Sequence, residues 1–190
     1  MLNAIALSVI LASPAATDFD LTQWNKDRLT TSRVGIFVLG GWAVANMGSG
    51  AIGFAVEQQN ERVRFIHLGN LIWNSVNLTL ALISLISEWN QDPASLDAKK
   101  SLLASERLEK VFFINAGLDL AYVAGAAFMW LRGEVIGDQR IVGFGQSFLV
   151  QGAFLIVFDT VMGFLNMRLT DRLTEHLSIS VAPGAVTLRF

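Results

Sequence analysis

Residues 64–88 read RFIHLGNLIWNSVNLTLALISLISE, and this stretch indicates what kind of fold the chain adopts. Between its two charged ends, residues 65–87 contain no Lys, Arg, Asp or Glu. A helix needs about 20 such residues to cross the hydrocarbon core of a bilayer, so the stretch predicts a transmembrane helix. Lipid disfavours strongly polar side chains, yet the first part of the span carries four of them: His67, Asn70, Asn74 and Asn77.

Three further segments have the same character, residues 34–56, 111–131 and 144–166. Their only charged residues are Asp119 and Asp159. The whole chain is 53% apolar and 16% charged, with a mean hydropathy of +0.48, whereas soluble domains carry about 25% charged residues. A soluble bundle would need a charged stripe on each helix, and these segments have none. The sequence therefore predicts an all-α protein, a transmembrane four-helix bundle.

The two ends of the chain are distinct from the predicted bundle. Residues 1–16 form a short apolar run followed by small residues, which is typical of a signal peptide. No Lys or Arg precedes that run, so a retained short anchor is the alternative. Residues 17–177 are predicted to form one four-helix transmembrane domain, and residues 178–190 a C-terminal tail. Alternating polar and apolar residues around Pro183 and Gly184 predict a small hairpin in this tail.

Basic residues and the predicted signal peptide favour opposite orientations in the membrane. Four spans put the N-terminus, the middle loop and the C-terminus on one side. Ten of the 14 Lys and Arg residues lie on that side, which favours the cytoplasm. A cleaved signal peptide would place the same side outside. The sequence therefore leaves the orientation open.

Local signals predict helical segments next to the spans. Asp20 as an N-cap with Gln23 three residues later predicts a short N-terminal interfacial helix. Asp92 followed by Pro93 predicts a helix that starts in the middle loop and runs unbroken into the third span. After the fourth span, leucines recur every four residues and predict an amphipathic C-terminal extension: Leu169, Leu173 and Leu177.

The polar residues of each span share one face of their helix. At 100° per residue, the four polar groups of the second span fall within an arc of about 80°. Such faces predict that the polar sides turn inward and form an intramembrane polar core, either structural or an ion or ligand path. The predicted core residues are Asn46, His67, Asn70, Asn74, Asn77, Asn115, Asp119, Tyr122, Gln151 and Asp159.

Small residues form a second set of faces, on which two helix backbones can approach closely. In the first span these residues lie beside the polar face, and in the third span they make a separate seam. The predicted close-packing positions are Gly50, Gly53, Gly117, Ala121 and Gly125.

The residue inventory restricts the chemistry. Cys is absent, which excludes disulfides, thiolate metal sites and cysteine nucleophiles. The two histidines, His67 and His176, lie in different parts of the predicted topology, so we predict no metal site and no cofactor; haem held by His67 and a methionine is the alternative. We find no catalytic constellation and expect no enzymatic activity. A net charge of −2 without a basic run gives no sign of nucleic-acid binding.

Four stretches together resemble a small family of uncharacterised bacterial integral membrane proteins. They are QWNKDRLTTSRVGIFVLGGWAVANMGSG, FIHLGNLIWNSVNL, LEKVFFINAGLDLAYVAG and GFGQSFLVQGAFLIVFD, and the similarity covers residues 24–159. The resemblance implies a bacterial four-helix membrane protein with no assigned activity, and we expect it in the cytoplasmic membrane as a multi-pass protein. Members of the family tend to begin with a signal peptide, which favours cleavage here.

Three functional hypotheses follow. The preferred one is a non-enzymatic scaffold or accessory membrane subunit, held by its polar core and in contact with lipid, other membrane subunits or further copies of itself. The second is a small transporter or proton-conducting module that uses Asp119, Asp159 and His67. The third is a quinone- or haem-associated membrane subunit.

Overall fold

A computed structural model describes residues 19–180 and shows four long helices. They are α1 (Leu21–Val56), α2 (Glu61–Trp89), α3 (Ala98–Ile136) and α4 (Gln139–Ser180), with one 3₁₀ turn at Pro93–Ser95 between α2 and α3. The described part contains no strand. Each helix is long and apolar enough to cross a membrane, which confirms the predicted all-α transmembrane bundle. The predicted signal peptide or anchor and the C-terminal hairpin lie outside the described residues.

The four helices form two hairpins that meet through α4. α1 packs along α2, and α3 packs along α4, while α4 also packs along α2. The backbones of α2 and α3 do not approach each other closely anywhere in residues 19–180, so a cleft separates them above α4. Side chains meet across it at the Trp73–Tyr122 ring contact and at the Arg62–Glu134 ion pair. Large apolar side chains point away from the bundle on all sides, among them Phe37, Ile83, Phe128 and Val157. This outward apolar surface is what a helix bundle presents to acyl chains.

The start of α1 differs from the sequence prediction. Asp20 does cap the helix, and its carboxylate accepts the Gln23 N–H at 2.9 Å. The predicted helix is therefore present, but it is not short, because the same helix continues without a break from Leu21 to Val56. Nothing between the cap and the span interrupts the backbone hydrogen bonding, since the intervening residues include neither Gly nor Pro.

The start of α3 also differs from the sequence prediction. Pro93 begins only one 3₁₀ turn, and α3 begins five residues later, at Ala98. Asp97 is the cap: its carboxylate accepts the Lys100 N–H at 2.8 Å, and this bond holds the pKa of the Asp97 carboxyl below its usual value. Two consecutive caps, Asp92 and Asp97, compete for the same helix, and the later one starts it.

Helices α1, α3 and α4 extend beyond the predicted spans and pack together at one end. The centre of this extension is apolar, with Trp24, Leu169 and Leu173 buried. The Trp24 indole N–H donates to the Leu169 carbonyl at 3.0 Å, and the buried Asn25 amide donates to the Pro93 carbonyl at 3.1 Å. The predicted amphipathic end of α4 is thus confirmed, and its leucine face covers the first turns of α1.

Glycines let α3 and α4 approach closely. A Cβ on Gly145 would lie 2.5 Å from the Trp130 backbone nitrogen and 2.8 Å from the Ala126 carbonyl oxygen. Neither of these α3 backbone atoms can move away without separating the helices. Gly137 ends α3 in the left-handed region, with φ of 72°, and the turn into α4 follows at once.

We predict that Gly145→Ala destabilises the protein and that Gly125→Ala does not. The first methyl group would collide with the α3 backbone, at a cost of about 1–3 kcal/mol in the free energy of unfolding. The second would meet nothing within 4 Å and should gain up to about 1 kcal/mol of helix propensity. Unfolding of both variants in detergent micelles, followed by circular dichroism, measures the difference. Equal stability of the two variants would contradict the close approach of α3 and α4.

Candidate functional site

Gln151 is the centre of a polar cluster where α1, α2 and α4 meet. Its side chain is completely buried. The amide oxygen accepts the Trp42 indole N–H at 2.7 Å. The amide nitrogen donates to Asn46 Oδ1 and to Asn70 Oδ1, each at 3.1 Å. Both amide protons are used and the carbonyl has a partner, so this side chain has no donor left for a ligand.

The cluster continues along α2. Ser147, one turn before Gln151 on α4, donates to Asn70 Oδ1 at 2.7 Å. The Asn74 amide donates to the Asn70 carbonyl, and the Asn77 amide donates to Asn74 Oδ1 at 3.3 Å. The asparagines of the opening stretch therefore form a chain of hydrogen bonds along α2. It runs from the junction with α4 to the cleft.

The cleft between α2 and α3 is a second site, with a volume of about 400 Å³. α2 and α3 form its walls, and α4 forms its base together with Leu39 of α1. Most of the lining is apolar or aromatic, and the polar groups are Asn77, Asn115, Asp119, Tyr122 and Asp159. Trp73 on α2 and Tyr122 on α3 meet edge to face, with ring centroids 5.4 Å apart, and so bridge the two walls. Five of the ten predicted core residues thus line one cavity.

Asp119 and Asp159 meet at the base of this cleft. They are 3% and 5% exposed, respectively, and their carboxyl groups lie within hydrogen-bonding reach of each other. Two carboxylates can bond to each other only through a proton that one of them carries. Asp119 Oδ2 accepts no hydrogen bond from an N–H or a hydroxyl group of the described chain. The pair therefore lacks the converging donors that an aspartate in a membrane usually needs.

His67 lies away from the carboxyl pair. Its ring packs on Gly53 of α1 so closely that a Cβ at this glycine would overlap the imidazole. Nδ1 is buried, with no hydrogen-bond partner among the described residues, and His67 does not line the cleft. The structure therefore brings Asp119 and Asp159 together. His67, the third residue of the hypothesised proton path, lies outside the cleft.

The five predicted close-packing residues divide into two groups. Gly50 and Gly53 face α2, and a Cβ on Gly50 would lie 2.7 Å from the His67 carbonyl oxygen. In contrast, Gly117, Ala121 and Gly125 are exposed, and a Cβ on either glycine would meet nothing within 4 Å. The seam on α3 packs against no helix of the described chain, because α4 occupies the opposite side of α3, where Ala126 and Gly133 are buried.

Sequence reasoning missed residues of both sites. Ser147 belongs to the Gln151 cluster, and Phe158 lines the cleft. Ser147 carried a usable signal, since it lies four residues before Gln151 on the same helical face. Trp42 lies four residues before Asn46, and its depth in the first span predicts the buried acceptor that Gln151 supplies. For Phe158 the sequence held no such signal, because an apolar ring is equally typical of lipid-facing positions.

Comparisons with known proteins give a family but no activity. A model of a family of unknown function, DUF6992, matches residues 38–160, which include both sites. Neither the curated proteins nor the solved structures contain a match to this chain.

Proposed function

We propose a structural role for this chain, which belongs to the family DUF6992. In this proposal it is a non-enzymatic, multi-pass protein of the bacterial cytoplasmic membrane. It serves there as a scaffold or accessory subunit. The polar cluster around Gln151 holds its helices together. The surface that remains contacts lipid and further membrane subunits, either a second copy of the chain or another protein.

The observation that supports this proposal is that the side-chain amide of Gln151 has all its hydrogen-bond partners within the protein. A path for ions or substrate needs polar groups that can exchange partners, whereas every donor of this amide is already paired with a neighbouring helix. Each hydrogen bond between membrane helices stabilises by about 0.6 kcal/mol on average. Three such bonds at one residue fix how α1, α2 and α4 are oriented relative to one another.

The exposed seam on α3 supports a role in assembly. Gly117, Ala121 and Gly125 recur every four residues on a face that no described helix covers. This spacing of small residues lets a second membrane helix approach closely. We therefore assign the contact with a partner subunit to this face of α3.

A proton-conducting module is the second candidate, and the adjacency of Asp119 and Asp159 favours it. A pair of carboxyl groups that can hold a proton between them is a common element of membrane proton paths. Because His67 lies outside the cleft, this candidate depends on the two aspartates alone.

We predict that Gln151→Leu lowers the free energy of unfolding by about 2 kcal/mol, since three interhelical hydrogen bonds are lost together. Gln59→Leu is the matched control, because Gln59 is exposed in the turn between α1 and α2. Unfolding with increasing denaturing detergent compares both variants with the original chain. If Gln151→Leu is no less stable than the control, the cluster does not hold the bundle together.

For the scaffold role, we expect the chain extracted from bacterial inner membranes in mild detergent to run as a complex with a second copy or another membrane subunit. Native mass spectrometry gives the composition. The variant Gly125→Leu adds bulk to the seam on α3 and should dissociate the complex. Gly41→Leu, at another position with open space around it, should leave the complex intact. A monomer in the extracted membranes would contradict the role.

For the second candidate, vesicles that contain the folded chain should conduct protons, and Asp119→Asn combined with Asp159→Asn should abolish the conduction. Measurement with a pH-sensitive dye inside the vesicles, between about pH 5 and pH 8, covers the range in which membrane carboxyl groups titrate. Vesicles that stay tight to protons across this range would eliminate the candidate and leave the scaffold role unaffected.

A further inference from the structure

We propose that the cleft between α2 and α3 binds a lipid-soluble amine, with its ammonium group at Asp119 and Asp159 and its apolar body between the cleft walls. This inference is independent of the proposed scaffold role. It depends on the shape of the cleft, on an unpaired buried acceptor and on the aromatic lining.

The cleft has the size and the access that a ligand from the bilayer needs. Its volume of about 400 Å³ lies in the range of small-molecule sites, about 300–1,000 Å³. The side chains at its mouth are partly exposed on the outer surface of the bundle: Ile72 (49%), Val76 (58%) and Leu118 (49%). Because the backbones of α2 and α3 stay apart and only side chains such as Trp73 and Tyr122 meet between them, a molecule dissolved in the acyl layer can enter sideways beside that ring contact.

The unpaired atom at the base of the cleft determines which chemistry can bind. Asp119 Oδ2 is a buried acceptor that no N–H or hydroxyl group of the described chain reaches. Apart from a proton shared with Asp159, a donor to this oxygen has to come from a ligand. Lys and Arg are absent from all four spans, so no side chain within them neutralises the carboxyl pair. An ammonium group supplies a positive charge and up to three donors at once, and one proton shared by the aspartates still leaves one negative charge to meet it.

The aromatic side chains of the cleft are suited to the same ligand. Trp73, Tyr122 and Phe158 all line the cavity around the carboxyl pair. The faces of aromatic rings attract cations, and the attraction strengthens where water is excluded. The remaining lining includes Leu39 and Leu155, which can pack against an apolar body but offer nothing to a hydrated ion. Residues 19–180 contain no group of three or more His, Cys, Asp or Glu that could hold a metal ion.

The test uses the full chain in lipid nanodiscs and two probes of nearly equal shape. One is fluorine-labelled phenylbutylamine, which is positively charged at neutral pH, and the other is the corresponding phenylbutanol, which is neutral. Fluorine NMR measures the binding of each. We expect saturable binding of one amine per chain. The alcohol should bind with an affinity that is lower by about tenfold or more. Equal affinity for amine and alcohol would show an apolar pocket without charge recognition and would overturn the proposal.

Variants locate the binding within the cleft. Asp119→Asn with Asp159→Asn should weaken amine binding by about tenfold or more, since the charge-assisted hydrogen bonds are lost. Asp171→Asn, on the same helix as Asp159 but beyond the span and exposed, should leave it unchanged. Val76→Trp fills the mouth of the cleft without altering a carboxyl group and should also abolish binding, so the test stands even if the double variant fails to fold. Unchanged binding in Val76→Trp would place the amine elsewhere and refute the site.

Discussion

A polar group in the hydrocarbon layer must find its partner within the protein, because lipid offers none, and this requirement governs how the four helices are arranged. Gln151 meets it completely: its amide oxygen accepts from Trp42 of α1, and its amide nitrogen donates to Asn46 of α1 and Asn70 of α2. The same requirement accounts for the position of α4. The helix that carries Gln151 and Ser147 is the one that packs against both α2 and α3.

The carboxyl pair is the exception to this rule. Asp119 and Asp159 are nearly as buried as Gln151 itself, yet no backbone or side-chain N–H reaches Asp119 Oδ2. Placing one Asp at the centre of a membrane helix costs roughly 2.5–3.5 kcal/mol on insertion scales. A pair without hydrogen-bond donors therefore destabilises the bundle if its role is purely structural. The two sites thus differ in kind. One is closed by its own hydrogen bonds, and the other places a carboxyl pair with one unpaired oxygen at the base of a cavity.

The helical extensions beyond the spans have buried apolar side chains at their centre. There α1, α3 and α4 bury Trp24, Leu169 and Leu173 as a small soluble protein would. Local signals in the sequence located the helix caps only in part. The carboxylate of Asp20 did cap α1, but the choice between Asp92 and Asp97 for α3 could not be made from residue types, since both are followed by residues that can begin a helix.

The number of spans, their approximate bounds and the segregation of polar and apolar faces could all be predicted from the residues, because these properties depend on composition and on the helical period alone. Which faces meet could not be predicted in this way. Periodicity placed Asp119 and the seam of Gly117 and Gly125 on separate sides of α3, but it could not reveal that α4 packs beside the first and leaves the second exposed. Partners distant along the chain are chosen by the packing of whole helices, and that packing is a property of all four together.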